Sequence, residues 1–271
     1  MSSDGTLKIK KFFNNTGKIL RHITPGILVD LPLLLIRGVP GSVIKEINKR
    51  KPPIVNELHP LVILIHGTGV TSWQWGVVEN YLRNHELESA VVDYDSVNSI
   101  KESIISVNNQ IENICKTRDR NNVILVGHSQ GGLISRWIYN ESRANNTSYN
   151  VIKNFSLSAP QEGTHLCTLR NEAMKCLNKQ SHTSLYDMEP SSEFISEYKN
   201  KCIDDDSYLT SGKLDFIGHE SALWGHNNES RKYIAFAGHY YPAVDYNMWH
   251  YFIIPHIKNE FDNNDAHDAS N

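Results

Sequence analysis

A ten-residue segment places the strictest limit on what this chain can fold into. Residues 123–132 read VILVGHSQGG, and a stretch with helical apolar spacing follows them. A β-branched run that leads into G-x-S-x-G and then into a helix predicts a tight strand-to-helix turn with Ser129 at its apex. Gly127 and Gly131 have no side chains, which lets the strand and the helix approach each other. The segment therefore predicts an activated serine on an α/β scaffold.

The rest of the chain from Pro60 onward alternates short apolar runs with amphipathic stretches, which predicts an α/β fold with a mostly parallel sheet and helices on both faces. The strands are predicted at Leu61–Ile65, Ala90–Asp93, Val123–Gly127, Asn154–Ser158, Lys213–Ile217 and Tyr233–Ala237. One covering helix is indicated by Ile100, Ile104, Val107, Ile111 and Ile114, and a second by Leu133, Ile134, Trp137 and Ile138.

The length of 271 residues suits one large domain or two small ones, and we predict a single α/β domain at residues 58–261. Residues 1–57 form an N-terminal extension that either targets the chain or lies on a membrane surface, or else packs as an amphipathic segment around Ile23–Ile36. The polar tail at residues 262–271 is predicted to be disordered. A formal net charge of -3 argues against nucleic acid as a partner.

Two further positions are expected beside the serine. The first strand ends in His66-Gly67-Thr68, and the backbone N–H groups of Thr68 and Gln130 are predicted to form an oxyanion hole. His66 is interpreted as a loop-stabilising side chain, because in this kind of fold the catalytic base follows the nucleophile in the chain. His239, directly after the last strand, is the predicted base. The alternatives are His219, His226, His250 and His256.

The acid that orients the base is predicted to be Glu220, in the turn after the strand assigned to Lys213–Ile217. Asp215 is the second candidate, because that assignment places it inside the strand. Asp245 follows His239 and would break the usual order. Asp187 and Glu189 are interpreted as capping residues.

These segments resemble the α/β-hydrolase superfamily, its lipase-like branch, and most closely the palmitoyl-protein thioesterases. The resemblance extends over about Pro60 to Phe261. It is carried by the His66-Gly67 turn, residues 107–110 with Cys115, residues 127–132, and Trp249 with residues 253–255. His128 stands where the thioesterases usually carry an aromatic residue, and Glu220 stands where they carry an aspartate.

The resemblance implies a serine hydrolase of long-chain acyl thioesters or esters that needs no metal or organic cofactor and acts on acylated proteins or lipids. The long excursion from Gly163 to Leu209 is expected to cover the acyl chain with Leu166, Leu169, Met174, Leu177 and Leu185. Two alternatives stay open at this point. One is a triacylglycerol lipase or carboxylesterase, and the other is an inactive binding protein with the same fold.

The resemblance also implies a disulfide between Cys167 and Cys176, whereas separate buried thiols are the other interpretation of these residues. N-x-[ST] sequons, which are typical of glycoproteins, occur at Asn14, Asn140, Asn145, Asn146, Asn154 and Asn228. Together these features favour the secretory pathway, a lysosome or the extracellular space as the location, with the cytoplasm as the alternative.

Overall fold

Six parallel strands form the centre of the protein. The computed structural model describes residues 59–202, 205–213, 215, 221–224, 231–235, 239 and 245–260. The strands are β1 (Leu61–Ile65), β2 (Ser89–Val92), β3 (Asn122–His128), β4 (Asn150–Leu157), β5 (Tyr208–Gly212) and β6 (Lys232–Ala235). They are ordered β2-β1-β3-β4-β5-β6, and every neighbouring pair is parallel. The predicted α/β class with a parallel sheet is therefore confirmed.

Helices cover both faces of this sheet. They are α1 (Gly76–Asn84), α2 (Ile100–Arg118), α3 (Gln130–Arg143), α4 (His165–Cys176), α5 (Thr183–Asp187) and α6 (Glu193–Cys202). A last helix, α7, begins with Tyr246–Met248, passes through a π-helical turn at Trp249–Ile253 and continues to residue 260. Short 3-10 helices lie at Ser72–Trp75 and Ser221–Leu223.

The side chains of β1 show how the two faces are filled. Leu61, Ile63 and Ile65 belong to a core cluster shared with α2, α3 and α6. Val62 and Leu64 point the other way, into a cluster shared with α1 and α7. All five are fully buried, as expected for a strand with a helical layer on each side. The sheet is thus held from both faces, and the carboxyl ends of its strands form one fixed edge.

Both predicted covering helices are confirmed, as α2 and α3. Five of the six predicted strands overlap observed ones, and the fifth prediction is wrong. β5 spans Tyr208–Gly212 rather than Lys213–Ile217. All five of its residues are buried, and Tyr208 pairs with Phe155 of β4. Its small polar residues Thr210 and Ser211 give a weak strand signal, because burial between neighbouring strands is not visible in the sequence.

Two predicted segments, the N-terminal extension at residues 1–57 and the tail at residues 262–271, lie outside the described residues. Across the part of the chain that is described, none of the helices combines the length and the apolar character that a membrane crossing requires.

All four cysteines are free thiols, so the disulfide implied by the resemblance is not present. The reason is geometric. Cys167 and Cys176 both belong to α4, where nine steps of helical rise place their Cα atoms about 13 Å apart. A disulfide needs Cα atoms within about 7 Å of each other. Of the sequons, Asn154 is 1% exposed within β4 and is not accessible for glycosylation.

Candidate active site

The predicted tight turn lies between β3 and α3. β3 ends at His128 and α3 begins at Gln130, so that Ser129 is the one residue between them. Ser129 has φ 56° and ψ -123°, a conformation that residues with a Cβ adopt at a cost. A Cβ atom on Gly127 would lie 2.1 Å from the Gly131 carbonyl oxygen, and one on Gly131 would lie 2.3 Å from the His66 carbonyl oxygen. Both glycines are therefore required for the backbone contacts that hold the serine in this conformation.

Ser129 is the first member of a chain of three hydrogen-bonded side chains. Its Oγ lies 3.0 Å from Nε2 of His239. Nδ1 of the same ring lies 3.1 Å from each carboxylate oxygen of Asp215. His239 is 2% exposed, and the Asp215 side chain is 1% exposed. When Nδ1–H donates to Asp215, Nε2 presents its lone pair to the serine hydroxyl, which is the tautomer a general base needs.

The carboxylate in contact with His239 is not the one that the sequence analysis ranked first. The structure places Asp215, the second candidate, at the Nδ1 atom where Glu220 was expected, and Glu220 itself lies outside the described residues. An imidazole has one Nδ1–H, and here Asp215 accepts it. Because β5 ends at Gly212, Asp215 follows the strand at the carboxyl edge of the sheet instead of lying inside it. Because the sequence analysis placed the fifth strand at Lys213–Ile217, it ranked Glu220 ahead of Asp215.

The other carboxylates considered from the sequence have structural partners. Asp245 accepts a hydrogen bond from the Asn247 N–H at 2.9 Å and caps α7. Asp187 accepts from the Ile100 N–H at 2.7 Å, at the first residue of α2. Each side chain stabilises a helix N-terminus, as anionic groups do at that position.

The other histidines fall into two groups. His219 and His226 lie outside the described residues. His250 and His256 belong to α7, where the Nδ1 atom of His250 lies 2.9 Å from the Tyr81 hydroxyl and that of His256 lies 2.6 Å from the Phe252 carbonyl oxygen. The ring that contacts Ser129 is that of His239.

His66 stabilises the loop after β1, as predicted. The residue is fully buried, and its ring stacks on Tyr94 with the centroids 4.3 Å apart. Its Nδ1 atom lies 2.8 Å from the Gly67 carbonyl oxygen, and its Nε2 atom accepts from the Tyr94 N–H at 3.3 Å. The Tyr94 hydroxyl donates to the His66 carbonyl oxygen at 2.8 Å. These contacts fix the loop that carries Thr68.

The two residues predicted to supply the oxyanion donors are joined by a side-chain hydrogen bond. Gln130 is the first residue of α3, so its backbone N–H has no acceptor within the helix. The Thr68 hydroxyl donates to Oε1 of Gln130 at 2.5 Å. This side-chain bond, which the sequence did not indicate, ties the loop after β1 to the start of α3. The participation of the two amides in an oxyanion hole stays a prediction.

A second contact that the sequence analysis missed involves His128. This residue is fully buried at the end of β3, and its Nε2 atom lies 3.1 Å from the carbonyl oxygen of His239. The two rings are 5.1 Å apart between centroids. The residue before Ser129 thus contacts the backbone of His239. Its position in the turn was visible in the sequence, but its partner 111 residues away was not.

A cleft of about 190 Å³ opens beside the Ser129–His239 pair. Its walls are largely apolar or neutral, with one arginine, and they come from the loop after β1, the loop after β4, α4 and α5. The lining residues are Thr68, Ser129, Pro160, Thr164, Leu166, Cys167, Arg170, Leu185, Met188 and His239. Burial raises the pKa of the Cys167 thiol to about 12, so the thiol stays protonated at neutral pH and does not compete with Ser129 as a nucleophile.

The excursion between β4 and β5 contributes to this cleft in part, as predicted. It folds into α4, α5 and α6. Of its five leucine and methionine residues named from the sequence, Leu166 and Leu185 line the cleft. Leu177 is 65% exposed, whereas Leu169 and Met174 are partly buried elsewhere on α4. The structure adds Met188 and Arg170, which the sequence analysis did not single out.

Comparisons with known proteins agree with this architecture. Residues 61–235 match the family described as palmitoyl protein thioesterase. No curated protein matches the chain at a significant level. Lipase BlEst2 of Bacillus licheniformis, in its mature form, is a similar structure with a TM-score of 0.56 and 18% identity, and the match covers 76% of this chain and 96% of that one.

Two further structures are similar. Est1E of Butyrivibrio proteoclasticus has a TM-score of 0.53 and 13% identity, over 78% of this chain and 90% of that one. A lipase-esterase related protein of Clostridium acetobutylicum has a TM-score of 0.50 and 18% identity, over 77% and 97% of the two chains. At these identities the likeness shows the α/β-hydrolase fold.

Proposed function

Because the chain belongs to the palmitoyl protein thioesterase family and is a serine hydrolase of acyl esters, we propose that its substrates are long-chain acyl thioesters or esters. The observation that carries the proposal is the hydrogen-bonded series Ser129, His239 and Asp215 at the side of a cleft with largely apolar walls. The geometry provides a nucleophile, a base and an orienting acid in contact, and the walls suit a hydrocarbon chain.

In the first half of the reaction, Ser129 Oγ attacks the acyl carbonyl carbon while His239 Nε2 accepts the hydroxyl proton. Negative charge develops on the carbonyl oxygen, where the Thr68 and Gln130 amides are proposed to donate hydrogen bonds. Asp215 stabilises the imidazolium that forms. The tetrahedral intermediate then expels the thiol or alcohol, which takes the proton from His239, and the acyl group remains bonded to Ser129.

In the second half, a water molecule attacks the acyl-serine ester as His239 again accepts a proton. The second tetrahedral intermediate expels Ser129 Oγ, which recovers its proton from His239, and the fatty acid leaves. The net reaction consumes one water and one acyl ester or thioester, and it yields one carboxylic acid and one alcohol or thiol.

The cleft walls support long acyl chains. Leu166, Leu185 and Met188 lie on the excursion side, and Pro160 lies on the β4 side. Burial of each methylene stabilises binding by about 0.8 kcal/mol. The cleft of about 190 Å³ is smaller than the roughly 300–1,000 Å³ of sites that enclose a drug-sized ligand. On this proposal, the described residues contact only the reacting end of a long acyl chain.

Acyl specificity is tested by kcat/KM for acyl thioesters and matched esters from C4 to C16. The proposal expects kcat/KM to rise with chain length. A maximum at C4 with little activity at C16 would instead indicate a short-chain carboxylesterase, and activity confined to triacylglycerols would indicate a lipase.

The nucleophile is tested by Ser129→Ala. We expect turnover to fall by about a millionfold, because loss of a triad serine removes the covalent route. A fluorophosphonate probe should label the wild-type protein and leave the variant unlabelled. Retention of more than a few per cent of the activity would refute the assignment, and a wild-type protein without label or activity would favour the inactive binding protein.

Location and membrane association are separate proposals. The sequons at Asn145 and Asn146 lie in an exposed loop between α3 and β4, which supports passage through a glycosylating compartment. A mass decrease on treatment with an N-glycosidase tests this. Co-sedimentation with vesicles, compared between the full chain and residues 58–271, tests whether the N-terminal extension binds a membrane surface.

A further inference from the structure

Helix α4 brings a positive charge to the catalytic cleft. Among the cleft-lining residues of the described chain, Arg170 is the one with a permanently charged side chain. Leu166 and Arg170 are four residues apart, so they lie on the same face of α4 with one helical turn between them. This wall of the cleft therefore changes from apolar to cationic over a distance of about 6 Å.

Arg170 is not ion-paired within the described residues, although the Glu189 carboxylate and Arg170 have opposite electrostatic effects on the same Cys167 thiol. The side chain is exposed and forms no ion pair with any part of the chain that the structure describes. Some surface cations of the described chain do form ion pairs, as Lys199 does with Glu162 at 3.1 Å. The carboxylate of Glu189 accepts a hydrogen bond from Asn171 at 2.6 Å. The whole chain has a formal net charge of -3, which does not attract anions. Any attraction of an anion to this cleft must therefore come from the nearby charge of Arg170.

We propose that Arg170 is a specificity residue that binds an anionic oxygen group, a phosphate or a carboxylate, on the leaving-group side of the substrate. The inference rests on the proposed acyl hydrolysis and names its substrate class more narrowly. A hydrocarbon chain gains nothing from a guanidinium, whereas Leu166, Leu185 and Met188 offer it apolar contacts. The guanidinium instead matches the geometry of phosphate and carboxylate, to which it donates two parallel hydrogen bonds.

The test uses three octanoyl thioesters that differ in the leaving group. Octanoyl-N-acetylcysteamine is neutral, octanoyl-3-mercaptopropionate carries a carboxylate, and octanoyl-coenzyme A carries phosphates. We expect Arg170→Gln to lower kcat/KM for at least one anionic thioester by about 10- to 100-fold, mainly through KM, because a hydrogen bond to a charged group is lost. The neutral thioester should change by less than about twofold. Arg170→Lys should restore part of the loss, since the charge returns without the planar pair of donors.

The matched control is Lys175→Gln. Lys175 is an exposed cation on the same helix, but it contacts the Tyr186 ring at 5.4 Å and does not line the cleft. We expect it to leave all three substrates unchanged. Raising the ionic strength from about 50 mM to 500 mM should shrink the wild-type preference for the anionic thioester, because the charge is exposed to screening.

The outcomes separate the sources of the anion. A loss confined to octanoyl-coenzyme A supports a phosphate, and a loss confined to the mercaptopropionate ester supports a carboxylate. Equal losses on all three thioesters, or no loss on any, would overturn the assignment of Arg170. The assignment would also be overturned if Arg170→Gln lowered kcat/KM for substrates whose acyl chain ends in a carboxylate but not for substrates with an anionic leaving group.

A binding measurement keeps this inference distinct from the proposed reaction. In a Ser129→Ala background, calorimetry should show weaker binding of octanoyl-coenzyme A when Arg170→Gln is added, and unchanged binding of octanoyl-N-acetylcysteamine. If the wild-type protein hydrolyses none of the thioesters yet this difference in affinity is found, the proposed function fails and the anion site stands. If affinity is the same for both proteins, the anion site fails whatever the activity.

Discussion

Helix α3 begins directly after Ser129 and helix α4 lines the cleft, yet the two helices differ greatly in burial. In α3, 11 of the 14 residues are buried, and its first turn packs backbone against backbone at Gly131. In α4, two of the 12 residues are buried, namely Cys167 and Asn171. Ser129 therefore precedes a helix that is packed in the core, whereas α4, which lines the cleft, is mostly at the surface. Chemistry and substrate choice should therefore respond differently to substitution.

The largest effect is expected from a substitution of Asp215. Asp215→Asn should keep the fold and lower kcat by about 10⁴-fold, because an amide neither stabilises the imidazolium nor holds the required tautomer. Steady-state kinetics with circular dichroism on the same samples measure it. Glu220→Gln is the matched variant, for which we expect a change of less than about fivefold. The reverse pattern would return the acid role to Glu220.

The next effect concerns the glycine contact. Gly131→Ala should destabilise the protein by about 3 kcal/mol or more, because its Cβ would lie 2.3 Å and 2.5 Å from the carbonyl oxygens of His66 and Ile65. Denaturant unfolding measures this. At Gly69 a Cβ would meet no atom within 4 Å, but φ is 71°. Gly69→Ala should therefore cost only about 1 kcal/mol, from backbone strain. Equal losses would show that the close approach at Gly131 is not the decisive contact.

A smaller effect is expected where a side chain ties the two candidate oxyanion residues together. Thr68→Val removes the hydroxyl that donates to Gln130 and should lower kcat by up to about tenfold with little change in KM, since one hydrogen bond contributes about 1 kcal/mol. Thr68→Ser retains the donor and should keep most of the activity. If the serine variant is as slow as the valine variant, the methyl group rather than the hydroxyl matters.

The smallest effect is expected on α4. Leu166→Ala should lower kcat/KM for a C16 substrate by about three- to tenfold and leave a C4 substrate nearly unchanged, because the lost apolar contact serves only a long chain. Leu177→Ala, at a residue that is 65% exposed and outside the cleft, is the control. A matching loss with both variants would mean that α4 affects the cleft through its fold rather than through contact with the acyl chain.

Local sequence patterns were sufficient to predict the structure around Ser129. The strand β1, the helix α2 and the turn at Ser129 were all predictable, because strong apolar periodicity and two close glycines leave few other conformations. The position of His239 followed from the order of elements in this kind of fold. The contact of its ring with Ser129 at 3.0 Å agrees with the position expected from chain order alone.

The local sequence patterns were weaker in the region before Asp215. Two runs compete for the fifth strand, residues 208–212 and residues 213–217, and the second is the more apolar on inspection. The sheet instead takes the first, since Tyr208, Leu209 and Thr210 pair with β4 and are covered from both faces. That difference of five residues moves Asp215 from a strand interior to the catalytic edge.

The sequence by itself determined the α/β class, the parallel sheet and the choice of Ser129 and His239 as candidates, because each of these depends on local patterns or on the order of elements. Tertiary structure decided which carboxylate contacts His239, the free state of Cys167 and Cys176, the Thr68–Gln130 bond and the place of Arg170 in the cleft. Most of these depend on residues far apart in the chain that meet only when the sheet forms. Burial and pairing between such residues, rather than local propensity, fix their geometry.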